Sequence, residues 1–105
     1  MIYGYMRVST EKQSVENQRF EIEEFCKKNN ISIDGWMEET ISGNENYVNR
    51  KLGELINFLE KGDTIICIDL RRLSRDKDIT MEILNILKTK EINLLTIRRT
   101  ISSWE

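Results

Sequence analysis

Thr64-Ile65-Ile66-Cys67-Ile68-Asp69 is a nearly continuous apolar run between the turn signal Lys61-Gly62-Asp63 and the basic segment Leu70 to Lys77. A half-exposed strand alternates apolar and polar residues, whereas a run without alternation suits a strand covered on both faces. Such strands belong to parallel sheets with helices on both sides. Upstream, Leu52, Leu55, Ile56 and Leu59 recur at helical spacing behind Asn49, whose side chain suits an N-cap. Downstream, Asp78 is placed to cap a helix with Ile79, Ile83, Ile86 and Leu87 on one face. Glu91-Ile92 then opens a last strand that runs to Ile97.

The N-terminal half repeats the pattern. Ile2 to Val8 reads as a strand with Tyr3, Tyr5 and Arg7 on one face and Ile2, Gly4, Met6 and Val8 on the other. Val15, Ile22, Phe25 and Cys26 follow at helical spacing up to about Lys28, where Asn29-Asn30 closes the helix. Ile31 to Met37 alternates as a second strand. Glu38 to Asn49 keeps no period and carries Gly43 among Ser, Asn and Glu, so it reads as a loop. The expected fold is α/β: one domain over residues 1–105, with a mostly parallel sheet of about four strands and helices on both faces.

The composition suits a globular chain with one core: 105 residues, 39% apolar and 32% charged. The longest apolar run falls far short of the roughly 20 residues a membrane helix needs. No charged-then-apolar segment opens the chain, so a cytoplasmic protein with no membrane partner is expected. Cys26 and Cys67 lie among apolar residues and read as buried free thiols rather than a disulfide or a metal pair. There is no histidine, which excludes Ser-His-Asp and Cys-His machinery and every histidine-ligated metal site. A net charge of −2 gives no bulk attraction to nucleic acid. The cations are nevertheless clustered, in Arg71, Arg72 and Arg75 and in the pair Arg50-Lys51.

Ligands of open parallel sheets bind beyond the carboxyl ends of the strands. The segments leaving the first three strands, Arg7–Thr10, Glu38–Arg50 and Asp69–Arg75, are therefore expected at one edge. Guanidinium groups offer planar donors that match phosphate oxygens, and nearby cations favour an alkoxide-like hydroxyl. In Tyr5-Met6-Arg7-Val8-Ser9-Thr10 this makes Ser9 a candidate nucleophile and Arg7, Arg50, Arg71, Arg72 and Arg75 candidate phosphate ligands. Each has a plainer reading. Ser9-Thr10 could cap the first helix, and Arg50-Lys51 could be a solvated first turn, although cations there oppose the helix dipole. Gln18, on the stripe between Val15 and Ile22, either reaches solvent or points along the helix toward the Ser9 loop.

Three blocks carry a resemblance to the catalytic domain of serine recombinases, the resolvases and DNA invertases. They are Tyr5 to Thr10, the Ser42-Gly43 loop leading to Arg50-Lys51, and Leu70-Arg71-Arg72-Leu73-Ser74-Arg75. The resemblance covers essentially the whole chain, and the Asn17-Gln18-Arg19-Phe20 and Glu39-Thr40-Ile41-Ser42-Gly43 stretches look most like the invertase branch. It implies a DNA strand-exchange enzyme needing no metal and no cofactor, acting as dimers on half-sites that pair into a tetramer. Ser9 matches the nucleophile that becomes joined to the 5′ phosphate. Arg7, Arg50, Arg72 and Arg75 match the arginines that hold that phosphate, and Gln18 matches a glutamine beside the site, with Arg71 and Lys51 as supporting cations.

The chain departs from the pattern at Arg71, where the family often has aspartate, and at Leu59, where many resolvases have lysine. Asp69 and Asp76 are the acids nearest to Arg71 in sequence. The family's long dimer helix and helix-turn-helix domain are also missing, so the chain is expected to be a catalytic fragment that does not recombine DNA alone. Ile101 and Trp104 are expected to be remnants of contacts to the missing helix. A non-catalytic relative, motivated by Arg71, and a small phosphate-ester enzyme, motivated by the cationic edge, are the alternative readings.

Overall fold

A computed structural model describes residues 1–8, 15–40 and 50–98. Its elements in chain order are β1 (Ile2–Val8), α1 (Val15–Lys28), β2 (Gly35–Thr40), α2 (Lys51–Phe58), β3 (Thr64–Cys67), a 3-10 turn (Leu70–Arg72), α3 (Lys77–Thr89) and β4 (Asn93–Thr96). The strands form one parallel sheet in the order β2-β1-β3-β4. β1 pairs with β2 from Tyr3↔Gly35 to Val8↔Thr40 and with β3 from Ile2↔Thr64 to Gly4↔Ile66. The apolar run at Thr64 thus forms an inner strand, with Ile65, Ile66 and Cys67 buried.

Alternation along the inner strands divides the core in two. Tyr5, Ile65 and Cys67 face α2 and α3, where Leu52, Leu55, Ile83 and Leu87 complete one cluster. Met6, Ile66 and Ile68 face α1, where Ile22 and Cys26 complete the other. Helices cover both faces, as the unbroken apolar run requires. Cys26 and Cys67 are buried free thiols, and no helix among the described residues is long and apolar enough to cross a membrane.

Several boundaries differ from the sequence expectation. The second strand is Gly35–Thr40 rather than Ile31–Met37. Asn30 turns the chain at a φ of 57°, and Ile31 and Ile33 pack on the α1 side before the ladder begins. Pairing starts at Gly35, where a Cβ would come within 2.6 Å of the Tyr3 Cζ. Asp76, not Asp78, caps α3: its Oδ1 accepts from the backbone N–H of Asp78 and Ile79 at 2.8 and 3.2 Å. β3 and β4 are shorter than expected, ending at Cys67 and starting at Asn93. Asn49 lies outside the described residues, and the N-cap position of α2 belongs to Arg50, whose side chain makes no cap bond.

Two tests follow from this packing. A Cβ on Gly4 would come within 2.4 Å of the Trp36 ring, over which the Arg19 guanidinium sits at 4.6 Å. Gly4→Ala is expected to cost about 1–3 kcal/mol by overpacking, read as a lower urea midpoint. Burial pushes the Cys67 thiol up to about 12 from its ordinary 9.0. Above pH 9 the unfolded chain therefore releases this proton while the folded chain keeps it, and stability falls as pH rises toward 12. Cys67→Val is expected to flatten that decline in denaturation curves collected from pH 8 to 11.

Candidate active site

Near the carboxyl end of β2 the chain carries a buried carboxylate. Glu39 is 7% exposed and stands opposite Arg7 in the β1–β2 register. Its Oε1 accepts from the Tyr5 hydroxyl at 2.6 Å and from Arg50 Nε at 3.4 Å. Its Oε2 accepts from the backbone N–H of Lys51 at 2.7 Å. A carboxylate thus sits at the start of α2, which answers the dipole objection to the adjacent cations Arg50 and Lys51. Burial raises the Tyr5 phenol above its ordinary value, which keeps it a donor toward Glu39.

Arg50 is the second member of this network and is 5% exposed. Its guanidinium donates to the Tyr5 hydroxyl at 2.8 Å and to the Leu73 carbonyl at 2.8 Å. One side chain therefore joins α2, β1 and the segment after β3. The Arg50 donors are turned inward in this arrangement.

Arg7 and Arg72 form a reciprocal pair. Arg7 Nε donates to the Arg72 carbonyl at 2.9 Å and Arg7 Nη2 to the Arg71 carbonyl at 2.6 Å. Arg72 Nη1 in turn donates to the Arg7 carbonyl at 3.1 Å. Gln18 is 7% exposed, and its Nε2 donates to that same carbonyl at 3.1 Å. The stripe glutamine therefore turns inward toward the end of β1 rather than out to solvent. Asp69 begins the 3-10 turn: its Oδ1 accepts from the Arg71 N–H at 3.1 Å and lies 3.9 Å from Arg72 Nε. Burial, reinforced by the charges of Arg50, Arg75 and Arg72, pulls Arg7 below the ordinary arginine value.

Arg7, Arg72 and Gln18 meet through hydrogen bonds at the end of β1. Arg50 sits in the adjoining network with Tyr5, Glu39 and the Leu73 carbonyl, and Arg75 is near enough for its charge to act on Arg7. Arg71, Arg75 and Lys51 are exposed. Ser9, Thr10, Ser42, Gly43, Ile101 and Trp104 lie outside the described residues. Ser9 follows the clamped Arg7 carbonyl by two positions. Among the described residues no group of His, Cys, Asp or Glu is arranged to hold a metal ion.

Sequence reading missed Tyr5 and Glu39 as members of the site, and it named Asp69 only as an acid near Arg71 in sequence. Glu39 sat in a stretch without period, and only the β1–β2 register puts it opposite Arg7. The alternation of Tyr3, Tyr5 and Arg7 on one strand face was the available signal for Tyr5.

Breaking a buried ion pair by removing one partner leaves the other charge stranded, at about 3–5 kcal/mol. Arg50→Ala is expected to lose that much in urea unfolding, because Glu39 and the Leu73 carbonyl stay buried. Arg75→Ala, at an exposed position, is expected to change stability by less than about 0.5 kcal/mol.

Known proteins share both this sequence pattern and this fold. The family model described as Resolvase, N terminal domain, matches residues 2–103. A resolvase of Clostridium perfringens is 36% identical over 102 residues, covering 95% of this chain and 50% of that protein. The transposon Tn917 resolvase of Enterococcus faecalis is 29% identical over 98 residues, covering 93% of this chain and 50% of that protein. The chain spans about half the length of these curated relatives. The N-terminal catalytic domain of TP901-1 integrase superposes with a TM-score of 0.75 at 19% identity, covering 91% of this chain and 75% of that one. The C-terminal catalytic domain of ISC1926 TnpA, an IS607-like serine recombinase, gives 0.74 at 18%, covering 94% and 71%. The two structures share the fold, and the family match extends over nearly every residue: the chain belongs to the resolvase N-terminal domain family.

Proposed function

We propose that the protein is a site-specific recombinase that cuts and rejoins DNA through Ser9, in the manner of a resolvase or invertase. The observation that carries this reading is the gathering of Arg7, Arg50, Arg72 and Arg75 around the carboxyl end of β1, whose last residue, Val8, precedes Ser9 in the sequence. In the proposed step the Ser9 oxygen bonds to the scissile phosphorus, and the bond from phosphorus to the 3′ oxygen breaks. The serine proton is lost, and the departing 3′ oxygen ends as a hydroxyl. A 5′-phosphoserine linkage remains, and attack by a 3′ hydroxyl reverses the step, so no cofactor or metal is consumed.

The arginines divide this work. Arg75 is exposed and Arg72 is partly exposed, so both can meet a phosphate oxygen, where their charge stabilises the transition state. Arg71 and Lys51, both exposed, serve as further contacts to the DNA backbone. Arg7 and Arg50 spend donors on carbonyls and on Glu39 and act chiefly by holding the site together.

DNA and further copies of the protein are the proposed partners, as a dimer on each half-site and a tetramer during exchange. A cytoplasmic location goes with that substrate, and the two free thiols suit a reducing compartment. Groove reading and dimer formation are assigned to segments outside residues 1–105, so these residues alone are expected not to recombine a supercoiled two-site plasmid.

The test is covalent trapping. The full-length protein is offered nicked suicide DNA, and a protein–DNA adduct is sought on denaturing gels. Wild type is expected to form it, Ser9→Ala to abolish it, and Arg75→Ala to slow it by about 10²-fold or more. A folded, DNA-binding wild type that forms no adduct would rule this mechanism out.

A further inference from the structure

The Arg7 carbonyl receives two hydrogen bonds, one from Gln18 on α1 and one from Arg72 on the turn after β3, each at 3.1 Å. It is the carbonyl from which the chain runs through Val8 to Ser9. Fixing it fixes the backbone at the end of β1, the strand that precedes Ser9 in the sequence. The Gln18 end is set by helix α1. The Arg72 end depends on what holds a long, partly exposed side chain in one place.

We infer that Asp69 is a positioning residue for the Ser9 reaction, aligning the Arg72 guanidinium that clamps the end of β1. This rests on the recombinase reading given above. Asp69 is 7% exposed, so its carboxylate must be compensated locally. Its Oδ1 meets the Arg71 N–H at 3.1 Å, and its carbonyl accepts from the Arg72 N–H at 3.2 Å, which closes the turn. The 3.9 Å from Oδ1 to Arg72 Nε is too long for a hydrogen bond and short enough for a strong Coulomb attraction in a partly buried setting. Asp69 therefore orients Arg72 through charge, while Arg72 Nη1 grips the Arg7 carbonyl.

Among the described residues, two further carboxylates of this edge are committed elsewhere. Glu39 is bound by Tyr5, Arg50 and the Lys51 N–H. Asp76 caps α3 through the Asp78 and Ile79 N–H groups.

Asp69→Asn separates charge from shape, because an amide oxygen can still accept from the Arg71 N–H. In the full-length protein, wild type and variant are compared for adduct formation at saturating nicked DNA, for DNA affinity by mobility shift and for thermal midpoint. The expected result is a rate at least tenfold lower, with affinity within twofold and a midpoint within a few degrees of wild type. Should Asp69→Asn not fold, Asp69→Ser, whose hydroxyl can still accept from the Arg71 N–H, is held to the same criteria.

A purely structural role is separated by the double variant. If Asp69 acts through Arg72, adding Asp69→Asn to Arg72→Gln slows cleavage by less than twofold further. A folded Asp69 variant that cleaves within twofold of wild type, or independent multiplicative losses in the double variant, overturns the inference while leaving the recombinase reading intact. Absence of adduct with wild type itself removes that reading, and the inference with it.

Discussion

A carboxylate taken out of water must find partners, and at Glu39 three partners come from two other elements. Tyr5 reaches it from β1, Arg50 from the start of α2, and the Lys51 N–H from the first turn of that helix. Arg50 then carries the connection onward to the Leu73 carbonyl. Burying either charge alone costs several kcal/mol, so the pair holds only while all of these contacts hold together. The carboxyl edge of the sheet is therefore one mechanical unit. β2 cannot shift against β1, nor α2 against the turn after β3, without stranding a charge.

On that frame the cations fall into an inner and an outer set. Arg7 and Arg50 are buried and donate to main-chain carbonyls, Tyr5 and Glu39. Arg71, Arg75 and Lys51 are exposed. An arginine that is permanently charged and forked suits both tasks, but a single conformer does not serve both at once. The reciprocal exchange between Arg7 and Arg72, each holding the other's carbonyl, joins the two sets. Burial first, and then repulsion from Arg50, Arg75 and Arg72, lowers the Arg7 value. An anion arriving at this edge would relieve that repulsion.

The architecture was legible because it follows from periodicity. The unbroken run at Thr64 announced a covered inner strand, and the stripes on either side of it announced the helices that cover it. Boundaries were less legible where tertiary contacts decide them. Ile31 and Ile33 alternate like a strand but serve the α1 cluster, and the ladder waits for Gly35 beside the Tyr3 ring. Asp76 outcompeted Asp78 as a cap because a cap is set by where the chain first turns helical, which two nearby acids do not distinguish. Of the site, the arginines were readable as a set, since strand ends converge in a parallel sheet. Glu39 and Asp69 were not, because register and burial, rather than residue type, bring them in.

Strand order carries one more consequence. β1 lies between β2 and β3, so the site draws on a strand near the start of the chain, a second beyond a helix, and a turn more than sixty positions downstream. The bonds between Arg7 and the Arg71–Arg72 turn each span more than sixty positions. A nascent or partly folded chain can form α1 against β1 and β2 and still have no Arg72 to grip the Arg7 carbonyl. Assembly of the cationic edge is thus coupled to completion of the sheet. The edge therefore exists as a set only once the last of these segments is in place.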